Sequence, residues 1–267
     1  MPSSDDQVPK RSKRFSKLHK YKAIDPHLCE LIADSQLYFS GRTLLNDPNE
    51  AVLRFTMQQE LVDEGFGDNE IVNLGQPLYS SIGNFYFFCM SLDPADILLW
   101  GYYGDNHRGV CLEFDFGMAI QQWLGKPEKP WKIETDHGTP FIREVHYTSE
   151  FDEFMLAPDG SPNLSSDEWD EFGFRKLDCW QAEKEVRMRL GKNQTQVDEI
   201  VLDGIKWRIE RESLKAIRFG LKTDGRKKQK IYDLVRSRGH SCEFLEGHDI
   251  AKSGNRYAVL FRPYAGG

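Results

Sequence analysis

Two glutamates, Glu183 and Glu185, stand two apart in the segment Trp180-Gln181-Ala182-Glu183-Lys184-Glu185-Val186-Arg187-Met188-Arg189-Leu190. From Lys184 onward charge and apolarity largely alternate, which is the period of a strand. Val186, Met188 and Leu190 then share one face, and Glu183, Glu185, Arg187 and Arg189 share the other. Neighbouring carboxylates beside arginines can hold different protonation states, and they can stabilise a cation developing on a sugar ring. The same spacing equally describes a solvated ladder of cross-strand ion pairs with no chemistry. Trp180, whose ring can stack on another, weighs toward a site. With the glutamates on an exposed face, Glu185→Gln is expected to change stability by no more than about 0.5 kcal/mol.

A second set of chemical groups lies between Phe85 and Phe116. Two apolar runs, Phe85 to Ser91 and Val110 to Phe116, have the length and aromatic or β-branched bias of buried strands. Between them Asp93 and Pro94 suit the cap and first position of a short helix, and Gly104 and Gly109 end it. This helix and its exit carry Trp100, Tyr102, Tyr103, Asn106, His107 and Arg108, more aromatic and cationic groups than a solvated connection needs. Arg108 offers a forked donor to a phosphate, with His107 beside it. In the plainer reading His107 caps a carbonyl, Arg108 pairs with an acid, and Trp100 and Tyr103 pack in the core.

The elements that must position these groups follow from the rest of the chain. Residues 1–17 are polar and basic, with Lys10, Arg11, Lys13, Arg14 and Lys17, and read as a disordered arm or as a weak steering arm for nucleic acid or substrate. Leu18 to Ala23 reads as a strand. Asp25 caps a helix with Pro26 at its first position and Leu28, Leu31 and Ile32 on its inner face. Leu37-Tyr38-Phe39 is a strand, Asn46-Asp47-Pro48 a turn, and Pro48 to about Glu64 a helix. Residues 65–84 read as a loop or lid, and 125–140 as irregular. Phe141 to Tyr147 alternates as a strand, 150–173 suits an acidic surface insertion with a helix capped at Ser165 or Ser166, and Leu214 to Phe219 is a strand. Asp224 caps a basic helix with Ile231, Leu234 and Val235 inward, and Cys242 to Leu245 and Tyr257 to Phe261 are strands. Together these predict one α+β domain over 18–267, with mixed or antiparallel sheets and flanking helices.

Composition narrows the classes. The 267 residues supply one large core, and the formal net charge of −7 argues against wholesale nucleic-acid binding while leaving room for a local basic patch. No apolar run approaches the roughly 20 residues of a membrane span, and the N-terminus lacks the apolar stretch of a secretory signal. Five widely spaced cysteines, at 29, 89, 111, 179 and 242, fit reduced thiols in a cytoplasmic protein. No C-x-x-C pair and no i,i+4 histidine pair is present, so no metal is expected. The phosphate-binding, dinucleotide-binding, nucleophile-elbow and metalloprotease motifs are all absent.

Four blocks resemble a bacterial family catalogued as a domain of unknown function, number 2971. They are Lys20-Tyr21-Lys22, Asn46-Asp47-Pro48-Asn49-Glu50, the Trp-x-x-Tyr-x-x-x-His-x-Gly segment from Trp100 to Gly109, and Trp180-Gln181-Ala182-Glu183-Lys184-Glu185-Val186-Arg187. The resemblance covers about residues 18–220 and implies no activity. A looser resemblance is to ADP-ribosyltransferases, which place a basic or His residue on a first strand, a Ser ending a central strand and a Glu on a later one. Lys20, Ser91 and Glu185 fall in that order. Lys20 stands where those enzymes have Arg or His, and Ser91 is followed by Leu92 rather than Thr-Ser. This resemblance implies NAD as a substrate, in a toxin or phage-defence setting. Glu185 would bond the nicotinamide ribose and stabilise an oxocarbenium ion, and Glu183 would orient or activate the acceptor. Lys20, Tyr21 and Ser91 would hold the cofactor with His107 and Arg108, and Tyr103 or Trp100 would stack on the nicotinamide. The other readings are a non-catalytic nucleotide- or nucleic-acid-binding module using the same cleft, and a partner-binding regulator. An enzyme site requires Lys20, Ser91, His107 and Glu185 to line one concavity.

Overall fold

The computed structural model describes residues 17–47, 84–117, 140–150, 171–191 and 203–266 in full, and six further short strands by their backbone. In chain order the strands are β1 (Arg11–Ser12), β2 (Leu18–Lys22), β3 (Gln36–Gly41), β4 (Arg54–Thr56), β5 (Phe85–Ser91), β6 (Val110–Phe114), β7 (Ala119–Gln121), β8 (Trp131–Lys132) and β9 (Phe141–Glu144). There follow β10 (His146–Thr148), β11 (Glu153–Met155), β12 (Arg175–Leu177), β13 (Glu185–Gly191), β14 (Glu199–Val201), β15 (Gly204–Arg208), β16 (Leu214–Phe219), β17 (Glu243–Ser253) and β18 (Arg256–Pro263). Among the described residues the α-helices are α1 (Pro26–Asp34), α2 (Ile97–Tyr102) and α3 (Gly225–Ser237). The large sheet runs β1-β7-β8-β9-β13-β5-β2-β6-β16-β17-β18, with β14-β15-β3 branching from β5. Its pairs are antiparallel except β16 with β17, which α3 connects. The architecture is mixed α+β, as the alternation of short strands and capped helices predicts.

Local chemistry explains the helices. The Asp25 carboxylate accepts from the Leu28 N–H at 2.8 Å, Pro26 occupies the first turn, and Leu28, Leu31 and Ile32 are buried. Asp224 accepts from the Arg226 and Lys227 N–H groups, and α3 buries Ile231 and Val235 with Leu234 half-buried. The cap of α2 is not Asp93 but Asp96, which accepts from the Leu98 and Leu99 N–H groups. Asp93 instead turns its own chain, accepting from the Ala95 N–H at 3.0 Å, and pairs with Arg256 and Lys184. Pro94 fits that turn as well as it fits a first helical turn, so the local pattern did not separate the two aspartates.

Both faces of the sheet are covered. On one face Leu18, Leu112, Met90, Phe88, Val186 and Met188 pack against α1 and α3 in a continuous apolar core. On the other, Tyr21, Cys111 and Val259 pack against Leu99 and Trp100 of α2. Several expectations change. Residues 54–56, placed in a helix by the sequence, are a strand pairing in parallel with β11, while the rest of the stretch from Pro48 to Glu64 lies outside the described residues. The helix expected at Ser165 or Ser166 and most of the expected lid also lie outside them. The single strand expected over 141–147 is two strands, broken at the buried Val145. The C-terminal strands extend into one long hairpin with a bulge between Gly247 and Asp249.

The sheet opens at one place. β2 pairs with β5 only at His19 and Ser91, whereas β3 takes the same edge of β5 at Phe87 and Tyr86. Between those points β5 has neither neighbour in register at Cys89. The Lys20 Nζ donates to the Cys89 carbonyl at 2.8 Å, filling a position that a partner strand holds elsewhere. A cleft forms at this divergence.

Candidate functional site

The register of three strands sets the floor of the cleft. Ser91 lies opposite Glu185 on one side and His19 on the other, so β2, β5 and β13 present His19, Ser91 and Glu185 in a row. Cys89 and Phe87 follow Ser91 on the same face, opposite Arg187 and Arg189. α2 contributes Leu99, its C-terminal cap is Tyr103, and the turn after β3 contributes Asn46. The cavity is about 250 Å³. A second hollow of about 450 Å³, walled by Leu98, Tyr102 and Trp180, shares Asn46, Leu99, Tyr103 and Glu183 with it.

Glu183 and Glu185 are not consecutive residues of one strand face. Glu183 ends a 3₁₀ turn over Asp178–Glu183, Lys184 takes a left-handed conformation at φ 46°, and Glu185 then opens β13. The hinge brings the carboxylates together all the same. Lys176 of β12 donates to Glu183 Oε2 at 2.7 Å and to Glu185 Oε2 at 3.3 Å. Its third donor reaches the Asn46 Oδ1 at 3.3 Å. The Tyr103 hydroxyl donates to Glu183 Oε1, and Asn46 Nδ2 reaches the Tyr103 oxygen at 2.5 Å. A hydrogen-bonded bar of Asn46, Tyr103 and Glu183 thus stands between the two hollows.

The polar face of β13 is buried, not solvated. All seven residues of the strand are buried, because residues 171–177 cover the side opposite the apolar core. Arg187 is 0% exposed. Its Nε and Nη2 clamp Glu185 Oε1 at 2.9 and 2.7 Å, and its Nη1 donates to the Gly173 carbonyl. Arg189 donates to the Phe172 carbonyl and lies against the rings of Phe85, Phe141 and Phe174. The solvated-ladder reading fails because alternation reports which side chains share a face, not what covers that face.

Burial moves the titrations. It raises Glu185 above the ordinary glutamate value, with Lys176 the largest opposing influence. Burial also works against the Lys176 charge, but Glu185 and Glu183 outweigh it and hold the ammonium above its usual value. The Cys89 thiol, which lines the cleft with Glu185, is pushed well up by burial, and Lys20 is pushed down by the same cause. Tyr103 is raised by burial and then by its bond to Glu183.

The structure brings together Lys20, Tyr21, Ser91, Tyr103, Glu183 and Glu185 around one cleft. Two of these have their polar groups committed to the fold. The Ser91 hydroxyl donates to the Glu183 carbonyl at 2.9 Å and accepts from the Asp93 N–H, and the Tyr21 hydroxyl donates to the Asp93 carbonyl at 2.6 Å. Trp100, His107 and Arg108 lie elsewhere. Trp100 is fully buried with its indole N–H on the Pro94 carbonyl, so its ring does not face the cleft. His107, at φ 68°, stacks on Trp100 at 6.1 Å, and Arg108 is exposed beyond it. The single concavity expected for Lys20, Ser91, His107 and Glu185 therefore holds three of the four.

Sequence reasoning missed Lys176, which sits on a three-residue strand too short to show a period, and gave Asn46 only a turn role. It also left Cys89 and His19 outside the site. Among the described residues no group of three or more His, Cys, Asp or Glu is placed to hold a metal ion, and no helix is long and apolar enough to cross a membrane.

No curated protein and no solved structure matches the chain, and the looser likeness to ADP-ribosyltransferases draws no support from either comparison. Residues 99–188, which carry Tyr103, Lys176, Glu183 and Glu185, match the model of the family described as Protein of unknown function (DUF2971), so the family read from the sequence blocks is the one found, over a shorter stretch than the blocks span.

Proposed function

We propose that this chain is an ADP-ribosyltransferase-like enzyme that takes NAD as substrate and breaks the bond between nicotinamide and ribose. One observation carries the reading: two carboxylates, Glu183 and Glu185, meet at the floor of a partly apolar cleft and share one lysine. A carboxylate fixed in a water-poor site stabilises positive charge as it develops on a ribose carbon, and its fixed orientation needs no rearrangement during the reaction. Glu185 has that character, since Arg187 clamps one oxygen while the other meets the longer Lys176 bond. The C–N bond breaks, its electron pair leaves with neutral nicotinamide, and the acceptor forms a new bond to the same carbon. The acceptor's proton passes to Glu183, which lies at the junction of the two hollows. Tyr103, rather than the buried Trp100, is the ring available to the nicotinamide.

The test is nicotinamide release from NAD by wild type, Glu185→Gln and Glu183→Gln, with circular dichroism to establish that each is folded. Loss of one electrostatic stabiliser is expected to slow Glu185→Gln roughly a hundredfold, with a smaller loss for Glu183→Gln. An inert wild type, supplied with NAD and a lysate as acceptor pool, overturns the proposal. A Glu185→Gln variant as fast as wild type removes Glu185 from its role.

A further inference from the structure

Lys176 is tightly held in this cleft. Its side chain is 1% exposed, and its three donors are all engaged, by Glu183, by Glu185 and by Asn46. The ammonium also lies 4.9 Å from the centre of the Trp180 ring, which shields it from solvent. Two carboxylates this near each other cannot both stay ionised in a buried site unless a cation stands between them. We infer that Lys176 is a positioning residue that keeps Glu183 and Glu185 ionised together and fixes the direction in which each points.

The other charged and titratable groups around the pair do not substitute for it. Arg187, from β13 itself, clamps the far oxygen of Glu185 and the Gly173 carbonyl, and its guanidinium also faces the charge of Asp47. Lys20 of β2 spends its Nζ on the Cys89 carbonyl. Three neutral titratable groups lie at the pair: Cys89 of β5 lines the cleft with Glu185, Tyr103 at the end of α2 donates to Glu183, and the Tyr147 hydroxyl of β10 accepts from the Glu185 N–H. Lys176 is the one cation among the described residues that bonds both carboxylates. β12, which carries it, is held in turn by its parallel pairing with β10. The position of the lysine is therefore set by the same covering segment that buries β13.

This inference deepens the proposed function, but its main test does not depend on turnover. Protein labelled with ¹³C at the glutamate carboxyls is titrated by NMR as wild type, Lys176→Met and Lys176→Arg. In Lys176→Met the titration of the Glu183–Glu185 pair is expected to move up by about one pH unit or more, and Lys176→Arg is expected to restore most of the difference. A displacement below about 0.3 unit in Lys176→Met overturns the inference, since that lies well inside the spread of ordinary glutamates. Should Lys176→Met fail to fold, wild type alone decides by the ¹⁵N signal of the Lys176 Nζ. It should remain an ammonium beyond about pH 11, and deprotonation below about pH 10 overturns the inference. In nicotinamide release the acid limb of kcat for Lys176→Met should move upward with the NMR titration, whereas a merely structural lysine would lower the rate at every pH alike. If wild type releases no nicotinamide, the proposed function falls and the carboxylate titration still judges Lys176.

Discussion

Glu185 carries its carboxylate between a guanidinium and an ammonium, almost closed to water. Placed on an exposed strand face, its conversion to Gln costs almost nothing. In the structure it is 5% exposed and holds Arg187 and Lys176. Removing its charge leaves a buried guanidinium short of its partner, so Glu185→Gln should lower stability by about 3 kcal/mol in urea unfolding at neutral pH. A loss under about 0.5 kcal/mol would instead return Glu185 to the class of surface sites. Glu113 yields a prediction in pH. The His19 hydrogen bond, with Arg218, holds its carboxyl down to about 2 against the pull of burial, from an ordinary 4.5. A depressed carboxylate stabilises the fold above its ordinary value, and that stability is lost as pH falls through the folded value. The stability gap between wild type and Glu113→Gln should therefore shrink from about pH 5 to about pH 2. A gap constant over that range would remove the interaction.

At the scale of elements, the caps were legible and the turns were not. Asp25 and Asp224 each precede a clear apolar period, and each caps its helix as the sequence predicts. Asp93 and Asp96 both precede the same short apolar run, and only the turn geometry chooses Asp96. Asp96→Ala should cost about 1 kcal/mol by loss of the α2 cap. Its thermal unfolding checks this, and an unchanged melting temperature would show that packing alone holds α2. The hinge at Lys184 was equally hidden, because a left-handed backbone at a lysine leaves no compositional trace of the kind a glycine would. Lys184 Nζ reaches Asp93 Oδ2 at 3.1 Å, so the turn before α2 and the turn before β13 are tied together. Missing that hinge is why the two glutamates seemed to share a strand face.

Across the whole molecule, the positions of β2, β3, β5, β6, β13 and β16 were read from the sequence, but β12, β15 and the divergence of β2 from β5 were not. Period and propensity describe each strand alone, whereas the cleft arises from which strands are neighbours. The same limit explains why Trp100 and His107 were grouped with Tyr103: adjacency in sequence did not reveal that one ring of α2 faces inward and the other faces the cleft. Thiol reactivity tests the burial of the whole fold. Among the five free cysteines Cys179 is exposed and Cys111 and Cys242 are buried. Native protein should label quickly at Cys179, and at Cys111 and Cys242 only after unfolding. Fast native labelling at Cys111 would contradict the packing of β6 under α2. The gap in the sheet also bears on synthesis. Its walls come from β2, β5 and β13, which lie far apart in sequence. Contacts so distant in sequence form late, after much loop closure. A chain still on the ribosome has no Lys176, Glu183 or Glu185 until long after β2 and β5 have been made, so whatever chemistry the cleft performs waits on the synthesis of β12 and β13.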